Sequence, residues 1–155
     1  MSDRDLPGIL APPPVLTALC IIAGYVADRF MPLPVMYNRS VRLAIGVILF
    51  AGAIAIFLLA LRQFTSQGEH PSPYEETHKL LDRGIYGRTR NPIYVAMLVV
   101  VLAVAAFTNS AWLFVSLVLD FLLLHFGVVK REERYLSRKL GAPYDDYRRR
   151  VRRWI

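Results

Sequence analysis

"LAIGVILFAGAIAIFLLAL", Leu43 to Leu61, runs for nineteen residues without a charge. At about 1.5 Å per helical residue it reaches across the roughly 30 Å hydrocarbon core of a bilayer. That run sets the solvent for the whole chain, and the solvent is lipid. Ile93 to Leu119 is likewise free of charge, interrupted only by the polar triplet Thr108-Asn109-Ser110. A third apolar stretch, Val15 to Ala27, follows Asp3, Arg4 and Asp5 and has no small-residue cleavage pattern after it. It therefore reads as a retained helix rather than a signal peptide.

The chain has 155 residues, 55% of them hydrophobic, yet carries a net charge of +7. Both hold only if charge and apolarity are segregated along the sequence. The expected fold is all-α and polytopic, since backbone groups in lipid must be satisfied within helices. Four spans are expected, at Pro13–Met31, Arg42–Arg62, Pro92–Phe107 and Ala111–Val129. The triplet at 108–110 is too short for anything but a tight helical hairpin, so the last two spans should pack antiparallel. One integral membrane domain, 1–155, then divides into two N-terminal spans (1–62), a loop (63–91), the hairpin (92–129) and a tail (130–155). Cys20 has no partner for an internal disulfide and reads as a small buried hydrophobe. No metal site is expected.

Orientation follows from the basic residues. Residues 62–91 hold five, Arg62, Lys79, Arg83, Arg88 and Arg90, and the tail from Lys130 holds ten, whereas 108–110 holds none and the first loop has Arg29, Arg39 and Arg42. The loop, the tail and both termini are expected on the cytoplasmic side. Positive charge also suits nucleic acid, but in a chain with four spans anionic lipid headgroups are the simpler partner.

The tail has an order of its own. "KREERYLSRKL" should carry the fourth span into water as a helix, with Gly141 as its cap and Pro143 opening another. In "PYDDYRRRVRRWI", Tyr144, Tyr147, Val151 and Trp154 recur at helical spacing between arginines. That pattern predicts a cytoplasmic amphipathic helix on the membrane surface, aromatic face down.

Polar chemistry gathers at two places. "HKLLDRGIYGRTRNPIY", residues 78–94, mixes apolar side chains with Gly84 and Gly87, which permit positive φ and close approach to a ligand. Pro92 suits the first turn of the third span, and Asn91 is a natural N-cap whose side chain accepts from a free backbone N–H. Glu132 and Glu133 lie at the far end of the hairpin, which should return them to the face holding Asn91 and Tyr94. Buried carboxylates need partners. Arg131 and Arg134 are the adjacent choices for a structural pairing; alternatively one glutamate faces a ligand. His125, two turns before Glu132, is expected on the same stripe. Asp120, deeper still, reads as a packing or polar-contact residue.

In this order the residues resemble the isoprenylcysteine carboxyl methyltransferases and the related phospholipid methyltransferases, integral membrane enzymes that use S-adenosyl-L-methionine. The family pattern Arg-His-Pro-x-Tyr-x-Gly, hairpin, Glu-Glu is met by Arg90-Asn91-Pro92-Ile93-Tyr94-Val95-Ala96 and Glu132-Glu133. The resemblance covers roughly the C-terminal half, from His78 to Val151. It implies a cofactor pocket in which His78, Lys79, Leu80 and Leu81 approach largely through backbone. Tyr86 would line it, and Asn91, Pro92, Ile93 and Tyr94 would form its floor. Glu132 would hold a polar group of the cofactor from the other helix. Three positions depart from the pattern: Asn91 replaces histidine, Ala96 replaces glycine, and Val128 stands where prenylcysteine enzymes carry a substrate-binding arginine.

The implied reaction is methyl transfer to a lipid-like or amphiphilic acceptor entering from the bilayer. It rests on positioning and exclusion of water, and no catalytic residue is assigned. A carboxylate acceptor needs no base; for an amine, His125 and Glu133 are the nearby candidates. Two other classes stand beside this one, an NADPH-dependent reductase of the sterol type and a non-enzymatic membrane interaction protein. The reductase lacks support from any G-x-G-x-x-G fingerprint.

Overall fold

A computed structural model describes residues 8–67 and 80–155. His78 and Lys79 lie outside them. The order of elements is α1 (Pro13–Phe30), α2 (Arg39–Gln67), a 3-10 turn (Gly84–Gly87), α3 (Pro92–Thr108), α4 (Trp112–Leu122), a π-helical stretch (Leu123–Val129), α5 (Lys130–Leu140) and α6 (Ala142–Arg150). Among the described residues no strand forms; an isolated bridge pairs Thr89 with Arg152.

Among the described residues, three helical segments are long and apolar enough to cross a membrane: Pro13–Phe30, Arg39–Ser66 and Trp112–Leu140. The expected third span is an apolar helix of 17 residues, Pro92–Thr108, about 25 Å long and shorter than those three. The outward surfaces are apolar, with Ile48 70% exposed and Val115 60% exposed. Side chains of that kind facing outward over whole helices suit lipid and not water.

Local chemistry explains several boundaries. α1 begins at Pro13, where a missing N–H costs nothing. α2 starts three residues earlier than expected because the Asn38 side chain accepts from Val41 N (3.1 Å), capping the first turn. α3 ends where Asn109 turns left-handed at φ 59°, which Asn tolerates better than most residues. Gly141, at φ 63°, separates α5 from α6 as expected.

α3 is the centre of the bundle and contacts α1, α2 and α4, while α1 also packs on α4. Small residues make this possible. Ala96, Ala103, Ala105 and Ala106 are buried along α3, and a Cβ on Gly46 would lie 2.6 Å from the Phe107 ring. Close backbone approach of this kind is how helices associate where lipid offers no hydrophobic driving force. Between α1 and α4, Thr17 donates to the buried Asp120 (3.2 Å), which confirms Asp120 as an interhelical contact.

The fourth apolar segment departs from expectation in one respect. It is not a single α-helix, because Leu123–Val129 widens into π-helix. Such a stretch leaves carbonyls without their usual partners, and Gly127 O accepts instead from Leu10 N (3.1 Å). The wider turns also reset the phase of everything beyond. His125 and Glu132 therefore do not share a stripe. His125 instead packs against Phe121 and Trp154, its Nδ1 accepting from Trp154 Nε1 (3.3 Å).

The tail differs too. Tyr144, Tyr147 and Val151 form a buried cluster with Leu80, Leu136 and Leu140 against them, so the aromatic face of α6 meets protein and not a membrane surface. The helix stops at Arg150, Val151 is extended, and residues 151–154 turn back across the bundle. Three apolar side chains offered by neighbouring elements, Leu80, Leu136 and Leu140, outcompete lipid for those rings.

Candidate functional site

The hairpin brings the two polar patches to one end of the bundle. Tyr94, in the first turns of α3, donates its hydroxyl to Glu132 Oε1 at the start of α5 (2.7 Å). Both side chains are half-buried. The pair presents a carboxylate and an aromatic face together, beside a wall made by Leu98, Leu124, Val128 and Trp154. Such a combination favours a cation in a partly dry site.

Glu133, the adjacent residue, has another task. It is buried, pairs with Arg90 Nη1 (3.0 Å), and takes two hydrogen bonds from Arg153, from Nε (2.9 Å) and Nη2 (2.8 Å). The bond to Glu133 raises the Arg153 guanidinium still further above its already high range. The expected partners, Arg131 and Arg134, do not serve. Arg131 donates to Gly8 O (2.7 Å) and Arg134 to Lys130 O (3.2 Å). Residues one apart on a helix point about 100° away from each other. One glutamate thus meets the Tyr94 hydroxyl and its neighbour faces the arginines.

The Arg90-Asn91-Pro92 corner is built by pairing with the returning tail. Arg90 N donates to Arg152 O (3.0 Å), and Asn91 Nδ2 donates to Arg153 O (2.8 Å). Asn91 therefore is not the side-chain cap expected of it; no cap bond forms at the start of α3. Its amide is spent as a donor on the tail, a use the carboxylate-free Asn serves as well as a neutral histidine. Pro92 is buried as the first residue of α3.

The remaining candidates divide into two clusters. Leu81 and Tyr86 are buried with Ala60 of α2, and Ile93 and Phe64 pack on them. Gly84 adopts the expected positive φ, 59°, while Gly87 does not. The Tyr86 ring meets Phe64 edge-on, and its carbonyl accepts from Tyr147 OH (2.7 Å). Burial holds the Tyr86 phenol well above the usual range, with Tyr147 and Glu132 adding to it, so Tyr86 stands within electrostatic reach of the Tyr94–Glu132 pair. Leu80 belongs to the other cluster, beneath Tyr144 and Tyr147.

Reading the sequence missed Arg153 and Trp154 as parts of this site. Arg153 is one of several arginines in the tail, and nothing in the local pattern singles it out. Among the described residues no group of three or more His, Cys, Asp or Glu is arranged to hold a metal.

A profile of the phospholipid methyltransferase family matches residues 41–142, which takes in both polar patches and the hairpin between them. The chain belongs to that family. It is accordingly an integral membrane protein of a methyltransferase family. Among curated relatives, the nickel-cobalt-cadmium resistance protein NccN of Alcaligenes xylosoxydans xylosoxydans is 36% identical over 73 residues, 47% of this chain and 34% of that protein. An uncharacterized protein of Haemophilus influenzae is 29% identical over 63 residues, 41% of this chain and all of that protein. The chain thus spans about a third of the length of the first relative. No solved structure matches.

Proposed function

We propose that this phospholipid methyltransferase family member transfers a methyl group from S-adenosyl-L-methionine to a lipid-like or amphiphilic acceptor. The observation that carries the proposal is the Tyr94–Glu132 hydrogen bond. It joins a residue before the hairpin to one after it and leaves a half-buried carboxylate beside aromatic rings. Those groups fit a ligand bearing both a sulfonium and an ammonium. Glu132 and Tyr94 would hold its cationic part. Asn91, Pro92 and Ile93 would form the floor, with Tyr86, Leu81 and Leu80 bordering it, and His78 and Lys79 would complete the edge. When bound, the cofactor supplies an activated methyl group whose transfer leaves a neutral thioether.

The protein's own share of the work is placement. Tyr94 orients the Glu132 carboxylate, and the apolar wall containing Val128 excludes water from the reacting centre. Val128 is fully buried among apolar side chains, so no arginine meets an acceptor from that position. The acceptor is then gripped through its apolar part, from the bilayer side.

In this reading α3 is a fourth span, short because its ends are packed within protein. The basic end, with Arg90, α5 and α6, faces the cytoplasm together with both termini. The exposed Arg148, Arg149, Arg150 and Arg152 contact anionic headgroups.

Thermal unfolding in detergent tests the proposal, because a ligand that binds only the folded state raises the melting temperature. S-adenosylhomocysteine should stabilise the protein and NADPH should not. Stabilisation by NADPH alone would support a reductase, and no response to either would support a non-enzymatic protein.

A further inference from the structure

We infer that Arg153 is a positioning residue for the proposed cofactor site, and that residues 151–154 act as a brace tying its two halves together. The inference rests on the methyltransferase reading but concerns residues beyond it. The family match ends at residue 142, so the brace lies outside the matched region.

The argument starts from what each residue of the segment holds. Arg152 accepts from Arg90 N through its carbonyl (3.0 Å), and Arg153 accepts from Asn91 Nδ2 through its own (2.8 Å). Thr89 Oγ1 also reaches Arg153 O, at 3.4 Å. Those bonds fix the corner from which α3, and with it Tyr94, departs. The Arg153 side chain reaches the other way, gripping both oxygens of Glu133 on α5. A single residue thus bonds the foot of α3 through its backbone and the start of α5 through its guanidinium. Tyr94 and Glu132 lie on those same two elements, Tyr94 three residues beyond Asn91 and Glu132 next to Glu133. Trp154 then seats the segment in the apolar wall, packed with Tyr94, Leu124 and Val128 in one cluster and bonded to His125.

The bidentate fork matters because its geometry is rigid. A lysine at 153 would keep the charge and lose the two-point grip. The π-helical stretch Leu123–Val129 runs directly into α5, so the phase of α5 is not that of α4 continued. Arg153 holds α5 from outside the helix.

The two tryptophans of the chain, Trp112 and Trp154, provide the measurement. Trp112 donates to Met31 O at the opposite end of the bundle, so Trp112→Phe leaves Trp154 as the sole emitter, on the brace. Full-length protein in detergent would be titrated with S-adenosylhomocysteine by calorimetry, with Trp154 emission and ligand-free melting recorded for each variant. Arg153→Ala is expected to weaken binding about tenfold or more, to red-shift Trp154 emission before ligand is added, and to abolish the emission change on binding. Arg153→Lys is expected to fall between Arg153→Ala and the parent. Arg39→Ala, exposed at the start of α2 at the opposite end of the bundle, is expected to match the parent. Parent-like affinity in Arg153→Ala would overturn the inference, whether or not the emission shifts. Weakened binding with a melting loss but unchanged Trp154 emission would overturn it as well, since the effect would then be general destabilisation. If the parent itself does not bind S-adenosylhomocysteine, the functional reading fails and takes the brace with it.

Discussion

At the end of the bundle formed by residues 31–38 and 108–111, polar contacts run from side chains to backbone. Asn109 accepts from Val35 N (3.1 Å) and Met36 N (2.8 Å) and donates to Met36 O (3.0 Å). Trp112 Nε1 reaches Met31 O, and Arg42 covers the free carbonyls of Ala106 and Phe107. At the opposite end, side chains meet one another: Glu133 pairs with Arg90 and Arg153, and Glu132 accepts from the Tyr94 hydroxyl. The first end closes turns, an economical way to satisfy helix termini near lipid. The second end concentrates ionised groups, which are costly to bury and so require either mutual pairing or a ligand. Within that end the adjacent glutamates separate the two purposes.

The largest expected break of this comparison is Glu133→Ala. It leaves Arg90 and Arg153 facing each other without a carboxylate, and should cost about 3–5 kcal/mol of stability, read by denaturant unfolding in detergent. A loss under about 1 kcal/mol would mean that the arginines find water, and the cluster is not structural. Next comes Asn109→Ala at the other end, which removes three hydrogen bonds and places a less tolerant residue at positive φ. It should cost about 2 kcal/mol in the same measurement while leaving S-adenosylhomocysteine affinity alone. An affinity change there would show that the two ends are coupled.

Glu132→Ala should reverse that pattern, changing stability by less than about 1 kcal/mol and weakening S-adenosylhomocysteine about tenfold or more by calorimetry. Equal affinity losses for the Glu132 and Glu133 variants, measured where both are folded, would reduce the pair to an ionic girdle. Tyr94→Phe keeps the ring and loses the bond to Glu132, so affinity should fall about threefold to tenfold, less than for Tyr94→Ala. The smallest expected effect is none. Burial pushes the Tyr144 phenol up to about 12, with Glu133 adding and Arg90 opposing, and burial raises Tyr147 as well. Between the parent and Tyr144→Phe, tyrosinate absorbance should not differ below about pH 10, and should diverge only as pH climbs toward about 12. Because the folded pKa is raised, this stabilisation is complete below the ordinary value of 10.0 and is lost as pH climbs from there toward about 12.

Much of the fold was legible in advance. The apolar runs gave the helices, the triplet at 108–110 gave the hairpin, and Gly141 and Pro143 marked the break in the tail, because helix limits depend on residues within a turn of each other. The convergence of Tyr94 and Glu132 also followed, as a helical hairpin of known length must return its partners to one end. His125 was misplaced for a definite reason. Counting residues assumes one helical period, and the π-helical stretch from Leu123 to Val129 has another. Tyr144 and Tyr147 were misread because an amphipathic pattern states that one face is apolar, without stating whether lipid or protein covers it.

The sequence by itself therefore determined that this is a helical membrane protein with two polar patches, since charge, length and periodicity are properties of neighbours along the chain. Only the tertiary structure decided that Glu132 meets the Tyr94 hydroxyl while Glu133 faces Arg90, and that Arg153 rather than Arg131 or Arg134 holds Glu133. Long side chains choose among several partners by reach and angle, and residues 20 positions apart, as Glu133 and Arg153 are, acquire those only when the chain has folded.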